Sequence, residues 1–408
     1  SDTKELFTLE EAMAAMFAGN AVLFVDGYDR AIKIGSKGYP GSGVQKTDSE
    51  KGLRGSKEAF SESVKMNTAL IRKRIRNAKM KAEEKQVGRY SATTTALLYL
   101  DGVVYLPICE EMRKRLNAFE VDGIEDGGMI EYLTRKKKEG RFPVYQTTER
   151  PDRAAQAILE GRVVLLTDNS PEALIFPATL NSLFQTADDY YRNERIVTFL
   201  RLIRYVAAFL ALALPGLYVA AATFHPQLLP GNLIRSMAEA RSGVPFPTAA
   251  EVLLMELSFE LLREAGLRMP GPAGNTIGIV GGLIVGQAAV SANLVSPITV
   301  TVAALTALGS FSIPNEELSE VFRLWKYGIL LLGSCFGILG VMLGCFLLLM
   351  LMAEQESYGI PWLYPYVGGN LNERADEKDS MFLAAARKRK RRPIFAKWGN
   401  RIRFRRKS

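Results

Sequence analysis

The sequence of 408 residues predicts an α+β soluble N-terminal part, built of two related α/β subdomains, followed by an α-helical membrane domain of several spans. Three observations lead there. Charge is unevenly spread: residues 1–195 are dense in it, whereas 205–353 contain long stretches with none. Two segments before residue 195 repeat one another at an offset of 142 residues, each reading as helix, glycine stop, buried strand and turn. Beyond residue 200, apolar stretches reach the roughly 20 residues needed to cross a hydrocarbon layer about 30 Å thick at about 1.5 Å per residue.

In chain order, EEAMAAMFAGNAVLFVDG (10–27) matches DRAAQAILEGRVVLLTDN (152–169), placing Ala12 with Ala154, Gly19 with Gly161, Leu23 with Leu165 and Asp26 with Asp168. A strand over 93–102 and a helix over 105–119 precede the second copy, and nothing equivalent precedes the first. The first subdomain, 1–50, is therefore expected to be partial, with its upstream part missing, and the second to occupy 91–195. Between them, 51–90 predicts a basic helical linker, with Phe60, Val64, Thr68, Ile71 and Ile75 on one face and Lys65, Arg72 and Arg76 on another.

The membrane domain is expected over 196–366, with spans at about 205–224, 276–295, 296–314 and 327–353. A helix over 248–266 opens on a capping box of Thr248 and Glu251; its length predicts a membrane-associated helix rather than a crossing. Arg192, Arg195, Arg201 and Arg204 before the first span, and the run Arg387–Arg392 after the last, predict that both termini are cytoplasmic and that Asn315–Glu320 is outside. The tail, 367–408, is read as basic and cytoplasmic: residues 381–408 hold twelve Lys or Arg and no acid, against a net charge of +9 for the whole chain. Its place after a span favours anionic lipid over nucleic acid as a partner.

The inventory for catalysis is poor, and an enzyme is not expected. His225 is the single histidine and has no acid or cysteine at ligand spacing. Cys109, Cys335 and Cys345 form no paired motif, and GNAVLFVDG lacks the lysine of a phosphate loop. No metal, cofactor or catalytic residue is assigned.

What remains is the polarity of an apolar segment. Gly278, Gly282 and Gly286, and then Gly333, Gly337, Gly340 and Gly344, fall in rows that let helix backbones approach closely, so they predict packing seams. Gln287, Val290, Ser291 and Leu294 follow i, i+3, i+4, i+7 spacing on a stripe offset from the first row. Either these polar groups bond to neighbouring helices, or several copies gather around an axis and the stripe lines a pore with Val290 and Leu294 as its constriction. Asn293, off the stripe, is expected to bond a neighbouring helix. Glu256 and Glu260 share a face with Arg263, read either as a structural ion pair with a basic residue of 225–275 or as a negative outer vestibule.

The stretches NTALIRKRI (67–75), TERPDRAAQAILEGRVVLLTD (148–168), FHPQLLP (224–230), GVPFP (243–247), MELSFELLREAG (255–266), GQAAV (286–290), SFSIPN (310–315) and YGIPWLYPY (358–366) carry a resemblance. Over nearly its whole length the chain resembles the A subunit of the GerA-type spore germinant receptors. The resemblance implies a channel-forming subunit in the inner membrane of the dormant spore, assembled as a homo-oligomeric ring, a pentamer, that releases ions on nutrient binding. It also implies two partners, a transporter-like B subunit and a lipoprotein C subunit. Two alternatives stand beside it: a channel like the stage V sporulation AF protein, which amplifies germination, and a scaffold that only organises the other receptor subunits.

Overall fold

The computed structural model of the chain describes residues 3–17, 21–34, 50, 54–267, 273–367, 378–385, 387–397, 399 and 402. They form two compact units, one from residues 1–198 with 354–408, the other from 199–353.

The first unit begins with β1 (Thr3–Leu6), α1 (Leu9–Phe17), β2 (Ala21–Phe24) and β3 (Ala31–Ile34), an antiparallel sheet in the order β1-β3-β2. Leu6, Ala12 and Ala31 make its small core. Next come α2 (Val64–Arg74), β4 (Met80–Val87), β5 (Thr93–Leu100), α3 (Leu106–Leu116), α4 (Gly127–Thr134), β6 (Gln146–Thr148), α5 (Pro151–Glu160), β7 (Val163–Thr167), β8 (Ala173–Phe176) and α6 (Leu180–Phe184). Their five strands pair in the order β4-β5-β7-β8-β6, every neighbour antiparallel. The sequence repeat reappears as connectivity: β1-α1-β2-β3 and β6-α5-β7-β8 each pair their first strand with their last.

Strands β5 and β7 are buried on both faces, which requires a helical layer on each side. Ala96, Leu98, Val164 and Leu166 pack with Ile71 of α2 and Ile158 of α5. Leu97, Tyr99, Val163 and Leu165 pack with Met112 of α3 and Ile130 of α4. The expected linker over 51–90 is therefore corrected: α2 and β4 are parts of the second subdomain. On the basic side Lys65 and Arg76 are exposed, while Lys73 and Arg74 pair with Glu58; it is the opposite face, with Val64 and Ile71, that ties the helix to the subdomain core. Asp168, singled out by the repeat, accepts from the Val64 amide at 2.9 Å, at the N-terminus of α2.

The chain after the bundle returns to this unit as the hairpin β9 (Glu356–Ser357) and β10 (Ile360–Pro361). Trp362 is fully buried and donates its indole N–H to the Pro143 carbonyl at 2.7 Å. Residues 354–366, expected in the membrane domain, thus belong to the α/β unit. Part of the expected tail does too, since Phe395 and Ala396 lie in its core. Gly161, with φ +95°, admits that approach: a Cβ there would stand 2.8 Å from the Ala396 Cα.

The second unit is a helical bundle of α7 (Glu194–Thr223), α8 (Gly231–Ala240), α9 (Thr248–Leu267), α10 (Ala273–Ser291), α11 (Pro297–Phe311), α12 (Glu316–Phe336) and α13 (Ile338–Glu354). Among the described residues, α7 alone is long and apolar enough to cross a membrane; α11 and α13 are apolar but shorter. The expected span 327–353 is broken at Gly337, whose φ of +62° ends α12. There α12 and α13 fold into a hairpin, with Gly340 against Leu332, Val341 against Gly333, and Gly344 against Ile329.

Pairings fix the direction of the others. Gly309 lies beside Ala207 and Ala211, and Tyr218 beside Thr299, so α11 runs against α7. Gly216 meets Ile329, and Gly337 meets His225, so α12 runs with α7. Glu251 bonds Ser296 and Arg263 bonds Ser310, so α9 runs with α11; Phe259 and Leu262 oppose Gly282 and Gly281, so α10 runs against α9. Setting α8 aside, the six helices α7, α9, α10, α11, α12 and α13 alternate in direction at every step. Asn315–Glu320 therefore lies at the bundle end where α7 begins and α13 finishes, not at the opposite end as expected. Two misread elements cause this: α9 spans the bundle as a full antiparallel helix, and the last apolar stretch is two helices.

Replacement of Gly340 by Ala should lose the folded bundle, because its Cβ would overlap the Leu332 carbonyl, whereas Gly328→Ala, with open space around it, should be neutral. Thermal unfolding of the two variants in detergent decides this, and equal stability would refute the hairpin. In the α/β unit, Glu83 accepts both Arg113 bonds at 2.9 Å; these hold its carboxyl below the ordinary value against an opposite push from burial. Its contribution is present above the unfolded carboxyl pKa of about 4.3 and is lost as pH falls through the lower folded value. The stability difference between wild type and Glu83→Gln, read by hydrogen exchange across β4 and β5, should thus shrink on acidification below about pH 4.

Candidate functional site

The polar interior of the bundle is concentrated where α9 faces α12. Glu256 and Lys326 pair at 2.6 Å and are 2% and 5% exposed. One turn on, Glu260 pairs with Arg323, which also reaches Glu320 at 3.6 Å. The expected partners of these carboxylates lay within 225–275, but both cations come from α12. Arg263 instead donates to Ser310 at 3.4 Å and lies 5.0 Å from the centre of the Phe311 ring. The pairs sit toward the bundle end where α12 begins. At the other end of α9, Glu251 is fully buried, accepting from the Ser296 amide at 2.8 Å and the Thr299 hydroxyl at 3.1 Å and pairing with Arg241.

A cavity of about 1390 Å³ opens beside these pairs, between α9, α10, α11 and α12. Glu256, Glu260, Arg323 and Lys326 line it together with Gln287, Val290 and Ser291 of α10. Two groups of residues that the sequence suggested separately, the acids and the stripe, thus share one space. Leu294 does not join them. Helix α10 ends at Ser291, Asn293 takes a left-handed conformation with φ +53°, and Leu294 stands 40% exposed beyond the helix. The i+7 position of the stripe required a helix that had already stopped. Asn293, expected to bond a neighbouring helix, is an exposed residue of that turn, a place that suits its tolerance of the left-handed region.

Among the expected packing glycines, Gly282 and Gly286 lie where a Cβ would come within 3.2 Å of the Phe259 ring and 3.1 Å of Val300, and both border the cavity. Gly278 is on α10, but its surroundings lie outside the described residues. Gly333, Gly337, Gly340 and Gly344 do not make one stripe on one helix; Gly333 faces α13 and α7, while Gly340 and Gly344 face α12. Sequence reasoning missed Lys326 and Arg323. The signal was present in their i, i+3 spacing, which matches a face of α9 carrying Glu256 and Glu260 at i, i+4. In the α/β unit, burial pushes the Cys109 thiol up to about 12, which removes a thiolate nucleophile at neutral pH.

Fold and cavity define a two-part protein: an α/β sandwich in series with an apolar helical bundle that keeps ion pairs inside it. Residues 1–395 match the family described as Bacillus/Clostridium GerA spore germination protein. The chain belongs to that family. It is 38% identical over 378 residues to the Bacillus subtilis (strain 168) protein named uncharacterized membrane protein YfkQ, covering 93% of this chain and 73% of that one. It is 35% identical to spore germination protein KA of the same organism, covering 87% of this chain and 65% of that protein. It is also 35% identical to spore germination protein A1, covering 89% of this chain and 76% of that protein. The chain thus spans about two thirds to three quarters of the length of these relatives. Among solved structures, the N-terminal domain of the A subunit of the Bacillus megaterium spore germinant receptor GerK3 aligns at 27% identity with a TM-score of 0.32, over 44% of this chain and 64% of that one.

Lys326→Met should destabilise the bundle by about 3–5 kcal/mol, since it leaves Glu256 charged, buried and unpaired. Adding Glu256→Gln should recover most of the loss. A double-mutant cycle on thermal unfolding tests the pair, and additive effects would refute it.

Proposed function

We propose that the chain is the channel-forming subunit of a nutrient-responsive spore germination receptor, assembling as a ring whose opening releases ions across the spore inner membrane. One observation carries the reading: among the described residues the side chains of Gln287 and Ser291 form no hydrogen bond, yet they stand on an apolar helix beside a large cavity lined by buried charge. In hydrocarbon an unpaired amide costs several kcal/mol, so these groups need water or a second copy of the chain. A water-filled path along α10 supplies both. The family and the relatives named as spore germination proteins support the role in germination.

In this reading the six alternating helices cross the membrane, with both chain termini and Asn315–Glu320 on the cytoplasmic side. Gln287 and Ser291 keep the lumen wet, and Val290, half-buried between them, is the dewetting constriction; Leu294 drops out of it. A transporter-like B subunit and a lipoprotein C subunit complete the receptor. Val290→Ala should raise resting conductance of the purified chain in planar bilayers, while Leu294→Ala should leave it unchanged. Absence of conductance in the wild-type chain, with B and C subunits still bound, would leave a scaffold instead.

A further inference from the structure

A second, smaller cavity of about 50 Å³ lies in the α/β unit, where the basic segment after residue 378 folds back on β7 and α6. Arg162 lines it and is 6% exposed. Among the described residues this guanidinium forms no ion pair; its ring partner is Phe395, 4.5 Å away, and its Nε has no acceptor. One hydrogen bond remains, from Nη1 to the Gln146 amide oxygen at 3.3 Å. With that amide turned over, its oxygen accepts from Arg153 Nε at 2.8 Å instead, so two guanidiniums compete for one acceptor.

The acids nearby do not resolve this. Asp379 accepts from Arg389 at 3.1 Å, and Glu160 accepts from Gln156 at 3.2 Å. Arg389 also lines the cavity and likewise keeps an unpartnered Nε. A buried cation without a counter-charge costs several kcal/mol, and guanidiniums take oxyanions in a planar, two-point geometry that waters do not replace. At about 10–15 Å³ per water, the space is that of a few waters or one small tetrahedral anion.

We propose that this cavity is a phosphate-binding site, in which Arg162 and Arg389 hold the oxygens of a single phosphate group, free or on a lipid head. The basic tail then acts through a built site rather than as diffuse charge. The site follows the cation-rich segment but does not depend on conduction, so its failure leaves the channel reading standing, and the reverse.

The test uses the full chain. In neutral detergent, thermal unfolding is followed in inorganic phosphate and in chloride at matched ionic strength. In nanodiscs, the same chain is compared in phosphatidylcholine alone and with phosphatidylglycerol added. Phosphate should stabilise the wild type, with apparent affinity falling about tenfold or more in Arg162→Gln and Arg389→Gln. A free ligand is the source if added phosphate stabilises equally in both discs; a lipid head is the source if phosphatidylglycerol stabilises and removes the response to added phosphate. Equal unfolding in phosphate and chloride, with no effect of phosphatidylglycerol, overturns the proposal. So does a response retained in Arg389→Gln, a variant at a less buried position that keeps the test open if Arg162→Gln does not fold.

Discussion

Glu256 on α9 and Lys326 on α12 meet inside a largely apolar bundle, both buried, and neither charge is tolerable there without the other. Moving a single ion into such surroundings costs several kcal/mol even after relaxation, and the cost is offset only while geometry and hydrogen bonding stay good. The pair therefore fixes the register of two helices as well as their contact. With Glu256 opposite Lys326, the antiparallel run brings Glu260 to Arg323, and the far end of α9 brings Glu251 to the start of α11. Helix α10 then packs its glycine edge on Phe259 and Leu262. The cavity is the space left between helices positioned by that polar contact.

The α/β unit rests on a different constraint. Strands buried on both faces need two helical layers, and the second subdomain draws its layers from distant parts of the chain. Helix α2 comes from before β4, while Tyr358, Ile360 and Phe395, from beyond α13, complete the opposite face. Tyr358 hydrogen-bonds Tyr145 deep in the core, and Ser357 donates to the Val144 carbonyl at 2.9 Å. The segment that leaves the last helix is thus part of the unit's interior, where Trp362 and Tyr364 are buried.

Much of this was legible. The repeat announced two related copies, each a helix, a glycine stop, a strand and a turn; the structure adds a strand before and a strand after each, and uses the shared aspartate Asp168 at the start of α2. Elements were misread where sequence pattern carries no partner information. The segment over 51–90 reads as a linker because nothing local shows that the apolar face of α2, Val64 and Ile71, will pack on β5 and β7. The apolar stretch 327–353 has unbroken hydropathy, and only a left-handed Gly337 turns it into a hairpin; its glycines, taken as one seam, are the two sides of that hairpin. Leu294 was placed on a helix that Asn293 terminates.

The polar groups of α10 and α11 sort by what satisfies them. Thr301 and Thr306 donate to carbonyls four residues back on their own helix, at 3.0 and 2.9 Å, so they need no neighbour. Ser296 and Thr299 share Glu251, which ties the turn before α11 to α9. Gln287 and Ser291 have neither arrangement among the described residues, and they are exposed on the side where the cavity opens. An apolar helix that only needed packing would have no use for an amide there, since the neighbouring glycines already admit close approach. Groups that do not satisfy themselves within the chain, on the surface of a bundle whose interior charge is already paired, are left to water or to another copy, which is the ground on which the proposed ring rests.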